Sequence, residues 1–230
     1  VYQTFVFADL AGFTAMTEAH GDETAAEIAT TFCAELNRLL PPGGEDLKSL
    51  GDACMVRIPH AADAVLFGLR LVTEAAADRP FPQVRVGMHT GPAVRRDNDW
   101  FGSTVNIAAR VAALPEGGEV LLTAATRDAA GPATSVTFDD LGPRALRNVR
   151  APIGLLRALV APGQGSTGSL TLDPVCQMRL PDGAAHVRLP GIHETFCSQA
   201  CAREFSTHVP AEPAAVGVNN HARRSRRGGG

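Results

Sequence analysis

The Gly51-Asp52 pair joins two short β-prone segments, residues 45–50 and 54–58, and reads as the turn of a hairpin set between two helical stretches. Ahead of it, Ile28, Phe32, Leu36 and Leu39 or Leu40 form the apolar stripe of a helix over 24–40. Asp22 is placed to cap that helix, and Pro41-Pro42-Gly43-Gly44 stops it. A β-rich opening over 1–10 comes first. Behind the hairpin, 61–77 reads as a second helix. Val84, Val86 and Met88 then alternate with Arg85, Gly87 and His89 as in a half-buried strand, and Gly91-Pro92 turns the chain. The order β-α-β-β-α-β predicts a ferredoxin-like α+β layer.

A third helix starts near Ser103, with Val105, Ala108, Ala109 and Ala112 as its stripe and Asn106 and Arg110 one turn apart on a neighbouring face. Segments 119–122, 135–138 and 155–160 read as closing strands, and 161–171 as a Pro/Gly/Ser linker. The net charge of -3 includes four arginines in the tail HARRSRRGGG, so the remainder carries -7. An acidic body argues against general nucleic-acid binding. No apolar run approaches the ~20 residues of a membrane span, and no secretory signal opens the chain, so a cytoplasmic protein is expected.

Lys48 is the only lysine; every other cationic side chain is arginine. A compact donor beside the acidic turn Gly51-Asp52 suits a pocket that reads one ring nitrogen of a base. Asp9 and Asp52 each end a strand beside small residues. Two carboxylates brought together repel unless a divalent cation sits between them, and Mg²⁺ takes one or two carboxylates with substrate phosphate oxygens.

FADLAGFT (7–14), LKSLGDACM (47–55), VRVGMHTGPA (84–93) and DWFGSTVNIAARVAAL (99–114) closely resemble the class III nucleotidyl cyclases, over about 3–160. The resemblance implies that Asp9 and Asp52, with the backbone of Leu10, bind two Mg²⁺ or Mn²⁺ ions. It implies that Lys48 and Asp99 select the purine, and that Asn106 and Arg110 stabilise the transition state. It further implies a head-to-tail homodimer with shared sites, converting ATP to 3′,5′-cyclic AMP and pyrophosphate. Adenine offers an acceptor at N1 and a donor at its 6-amino group, which a lysine and an aspartate complement; guanine mismatches both. A guanylyl cyclase, or a catalytically silent metal-binding signalling partner, are the alternatives.

Beyond the linker, DPVCQM and FCSQAC with Phe205 resemble the YHS domain over 172–210, ahead of an Arg/Gly tail at 211–230 expected to be disordered. Cys176, Cys197 and Cys201, spaced C-x20-C-x3-C, are a second candidate metal site for Zn²⁺ or Cu⁺. His186, His193, His208 or Asp173 would supply a fourth ligand. His20, His60 and His89 lack ligand spacing and read as structural or surface residues, and Cys33 and Cys54 as small core residues.

Overall fold

The computed structural model describes residues 1–97, 99–132, 136–159, 171–181, 183 and 185–208. Most of the expected linker and all of the expected tail lie outside the described residues. The chain opens with β1 (Tyr2–Leu10), α1 (Phe13–His20) and α2 (Asp22–Leu39), followed by the hairpin β2 (Glu45–Leu50) and β3 (Ala53–Ile58). Next come α3 (Ala61–Glu74), β4 (Phe81–Pro82), β5 (Val84–Pro92), β6 (Val94–Arg96), β7 (Asp99–Phe101) and α4 (Ser103–Val111). The closing elements are β8 (Val120–Thr123), α5 (Ala124–Ala130), β9 (Thr137–Arg144) and β10 (Ile153–Leu159). The C-terminal segment holds β11 (Thr171–Leu172), β12 (Met178–Leu180), β13 (Val187–Arg188), β14 (Thr195–Phe196) and α6 (Gln199–His208).

Seven strands form one sheet in the order β2-β3-β1-β5-β8-β10-β9, and β5 to β8 is its parallel pair. Its first four strands give the β-α-β-β-α-β layer, with both long helices on one face. Period-two alternation along β1 divides the sheet. Val6, Ala8 and Leu10 join Phe32, Leu36 and Val65 in the large core beneath α2 and α3. Phe5 and Phe7 point the other way, into a smaller cluster with Ala108, Val105 and Trp100. Asp9 continues that second face, the one covered by α4.

Several local expectations shift. Gly21, at φ 84, takes the N-cap position of α2, so Asp22 lies in the first turn, where its charge meets the helix dipole. β5 runs through Pro92, which pairs with Tyr2, and the chain turns only afterwards. The buried stripe of α4 is Thr104, Ala108 and Val111, with Val105 partly covered and Ala112 at the C-cap. Helix α1 has no counterpart in the sequence reading: its one buried side chain, Met16, packs against the C-terminal segment rather than the sheet.

That segment lies directly on the rest of the chain. β12 pairs with β4, opposing Met178 to Pro82 and Arg179 to Phe81. The Arg179 guanidinium donates to the carbonyls of Ala75 (2.6 Å) and Ala76 (3.0 Å) at the end of α3. Met178, Leu180, Phe196 and Ala202 share one apolar cluster with Met16 and Ala25. Each large side chain buried there contributes roughly 1.5–3 kcal/mol to docking.

Candidate active site and candidate metal centre

Asp9 stands at the end of β1, directly opposite Arg85 of β5 in the antiparallel register. The two form a bidentate ion pair: Arg85 Nε donates to Asp9 Oδ1, and Nη2 to Oδ2 at 2.9 Å. Asp52 sits in the β2–β3 turn. Burial, and secondarily the charge of Asp9, push its carboxyl above the usual range. A pair of oxygen donors, one desolvated and facing the charge of the other, fits a hard divalent cation. Arg85 is the residue that sequence reasoning missed. Its signal was present in the strand alternation, which puts it on the face of the sheet that carries Asp9.

A cleft of about 240 Å³ opens at Asp9, lined also by Phe7, Ala53, Arg85, Ala109 and Ala112. Its wall is the C-terminal end of α4, pressed against β5 at Gly87. A Cβ on Gly87 would overlap the backbone of Ala112, so only glycine admits the helix this close.

Lys48 on β2 and Asp99 on β7 meet at 2.6 Å, Nζ to Oδ2. Asp99 Oδ1 accepts the backbone N–H of Trp100 at 2.8 Å. The Lys48 bond first, and the Trp100 N–H second, hold the Asp99 carboxyl below the usual range. Trp100 is a packing residue: its ring meets Phe5 edge-on at 5.7 Å, and the Arg57 and Arg95 guanidinia lie over it at 5.8 and 5.9 Å.

Asn106 and Arg110 are exposed on α4, and among the described residues neither side chain makes a hydrogen bond or ion pair. The chain thus brings Lys48 to Asp99 and Asp52 towards Asp9. Asn106 and Arg110 do not line the Asp9 cleft.

The second cysteine group has a different membership from the one expected. Cys176, Cys197 and Cys201 converge as the spacing suggests, and their sulfurs lie within 4.8 Å of one another and of a ring nitrogen of His20. His20, read from sequence as structural or surface, is therefore the fourth candidate ligand; 177 residues separate it from Cys197. Asp173 has another task. It is fully buried, with Oδ1 accepting from the backbone N–H of Val175 (2.8 Å) and Cys176 (3.2 Å), and Oδ2 from that of Cys197 (2.7 Å). Burial would raise its pKa, but the hydrogen bonds, those of Cys197 foremost, outweigh it and hold the carboxyl below the usual range. His186 and His193 are not in the group, and the side chain of His208 lies outside the described residues. The Cys197 thiol is pushed up by its hydrogen bond to Cys176 and then by burial, and burial pushes Cys201 up to about 12. Cys33 and Cys54 form a separate pair in the main core, sulfur to sulfur 3.6 Å.

Residues 3–154 match the model of the adenylate and guanylate cyclase catalytic domain, and the chain belongs to that family. The pH-sensitive adenylate cyclase MT1302 of Mycobacterium tuberculosis (strain CDC 1551 / Oshkosh) is 37% identical over 169 residues, 72% of this chain and 42% of that relative. An adenylate cyclase of Streptomyces coelicolor (strain ATCC BAA-471 / A3(2) / M145) is 34% identical over 131 residues, 54% of this chain and 34% of that relative. The chain thus spans less than half the length of either. Among solved structures, an adenylate cyclase of Trypanosoma brucei superposes with a TM-score of 0.60 at 23% identity, over 71% of this chain and 90% of that one, which establishes a shared α+β cyclase fold. Among the described residues no helix is long and apolar enough to cross a membrane.

Proposed function

We propose that residues 1–160 form an adenylyl cyclase catalytic domain that converts ATP to 3′,5′-cyclic AMP and pyrophosphate in a head-to-tail homodimer. The observation that carries this reading is the Lys48–Asp99 pair at 2.6 Å, which presents a donor and an acceptor side by side for the edge of adenine. The relatives named adenylate cyclase point the same way. The dimer is supported by the separation of parts, since Asn106 and Arg110 are exposed and are not among the residues that line the chain's own Asp9 cleft. Leu50, Val94 and Phe101, close in sequence to Lys48, Asp52 and Asp99, are 84%, 58% and 54% exposed and suit a partner surface.

Asp9 and Asp52, with the Leu10 carbonyl, would hold two Mg²⁺ or Mn²⁺ ions, which when bound offset phosphate charge and polarise the reacting oxygens. Lys48 and Asp99 fix the base. Asn106 orients the ribose so that its 3′-oxygen lies in line with the α-phosphorus. As the 3′-hydroxyl gives up its proton to solvent and its oxygen bonds to the α-phosphorus, the bond from that phosphorus to the oxygen bridging to the β-phosphate breaks, and Arg110 follows the developing charge with a fixed cation and several donors. Pyrophosphate leaves. ATP as substrate fits a cytoplasmic location, and the segment 172–210, which resembles the YHS domain, is read as a metal-responsive attachment.

Incubating the protein with ATP or GTP and Mn²⁺ tests the reading. Cyclic AMP is expected in large excess over cyclic GMP. Equal turnover of GTP would overturn the assignment of the base-reading pair, and no cyclic product from either would leave a silent partner as the correct description.

A further inference from the structure

Four soft or borderline ligand atoms from three distant stretches of chain meet at one point. His20 Nε2 lies 3.2 Å from Cys197 Sγ and 3.7 Å from Cys201 Sγ. Cys197 Sγ lies 3.5 Å from Cys176 Sγ and 3.6 Å from Cys201 Sγ. A tetrahedral Zn²⁺ with the usual Zn–S and Zn–N bond lengths has edges of about 3.8 Å between sulfurs and about 3.6 Å between sulfur and nitrogen. The observed separations fall close to those edges and well outside a disulfide bond.

We propose that His20, Cys176, Cys197 and Cys201 form a closed Cys₃His site for Zn²⁺ that staples the C-terminal segment to helix α1 of the cyclase domain. Three thiolates and an imidazole fill a tetrahedron and leave no open position, the pattern of a structural centre. The surroundings are arranged for it. Asp173 gathers the backbone N–H groups of Cys176 and Cys197, which fixes two ligand-bearing turns relative to each other. Ser198 Oγ accepts the N–H of Cys201 at 3.2 Å and sets the first turn of α6, which aims the third sulfur inward. The segment also needs a staple. Among the described residues it is built of strands of two or three residues and one helix, and chains below about 40 residues seldom hold a fold on their own core. His20 supplies the link, because it ends a helix that begins at Phe13, just beyond Asp9.

The test uses the full chain, reduced and freed of loosely bound ions, with zinc quantified by elemental mass spectrometry. One zinc per chain is expected. Co²⁺ in its place should give the strong visible bands of a tetrahedral ion and thiolate charge transfer. His20→Asn should weaken zinc in a chelator competition by at least about tenfold, since loss of a mere ligand-orienting partner already costs about that much. His20→Cys should retain the metal and raise cobalt charge-transfer intensity by about a third, as four thiolates replace three. Cys197→Ser should lose the metal. A zinc-free chain with all thiols titratable would overturn the site. Zinc affinity indifferent to His20→Asn, or a His20→Cys cobalt spectrum unchanged from the parent, would remove His20 from it.

Discussion

Lys48 and Asp99 lie 51 residues apart in sequence and 2.6 Å apart in space, one on an edge strand of the main sheet and the other on the β6–β7 ribbon. Each fixes the other's direction, so the pair meets a base already oriented. Lys48→Glu should therefore do more than weaken binding. One mismatched polar contact, a carboxylate set against the N1 acceptor of adenine, costs roughly 1–3 kcal/mol and should lower kcat/KM for ATP by on the order of tenfold or more. Initial rates with ATP and GTP measure this, and an unchanged ATP-to-GTP ratio would remove the pair from base selection.

If two protomers share each site, Asp9→Ala and Arg110→Ala damage opposite halves. Each variant alone should lose nearly all turnover, and a mixture should regain part of it, because one of the two sites in a mixed dimer is intact. Cyclic AMP formation across a titration of one variant into the other reads this directly. A mixture as inactive as its components would refute shared sites.

The β-α-β-β-α-β order was legible because its strands and long helices each bury one regular face, as in β1 and α2. Helix α1 was not. Its partner is the C-terminal segment more than 150 residues away, and an eight-residue helix with one buried side chain leaves no periodic trace. The same reason hid His20, whose neighbours in space are cysteines with no local relation to it. Asp9 and Asp52 were read as carboxylates at strand ends and Lys48 as a lone ammonium beside a turn, whereas Asp99 was pointed to only by the resemblance to the cyclases. Arg85 was visible only as one outward position of a strand, and its partnership with Asp9 is a matter of register that sequence alone did not fix.

Arg85 neutralises Asp9 when no cation does. Arg85→Gln should leave Asp9 facing Asp52 without compensation and destabilise the chelator-treated protein by about 1–2 kcal/mol, the partial exposure of the pair keeping the figure below that of a buried bridge. For a chain of this size that is a fall in Tm of about 2–8 °C. Mn²⁺ should recover more stability in the variant than in the parent. Thermal melts with chelator and with Mn²⁺ decide it; equal Tm values in chelator would show that the pair has no such role.

The C-terminal segment touches the loop between Asp9 and α1. A Cβ at Gly12, whose φ is 71, would meet Gln177 Cβ at 2.9 Å and the Cys176 carbonyl at 3.1 Å. Loosening the segment should therefore loosen the loop beside Asp9. His20→Asn and zinc-stripped protein are both expected to lose several-fold in kcat with little change in the ATP-to-GTP ratio. Turnover equal in parent, stripped and Cys197→Ser protein would uncouple the segment from catalysis.

His89 is buried on β5, its Nδ1 at 2.7 Å from Thr123 Oγ1, and burial pushes its pKa down to about 4. In the unfolded chain the same imidazole protonates near 6.5. Between those values the unfolded state binds the extra proton, so the contribution is fully present above about pH 6.5 and is lost as pH falls towards 4. The loss amounts to about 3 kcal/mol at most. Denaturant midpoints from pH 7 to pH 4 should therefore fall more steeply for the parent than for His89→Asn, whose amide stands near the position of Nδ1 without a titrating proton. Parallel curves for the two proteins would mean that His89 takes up its proton without cost, and that the acid sensitivity of this fold arises elsewhere.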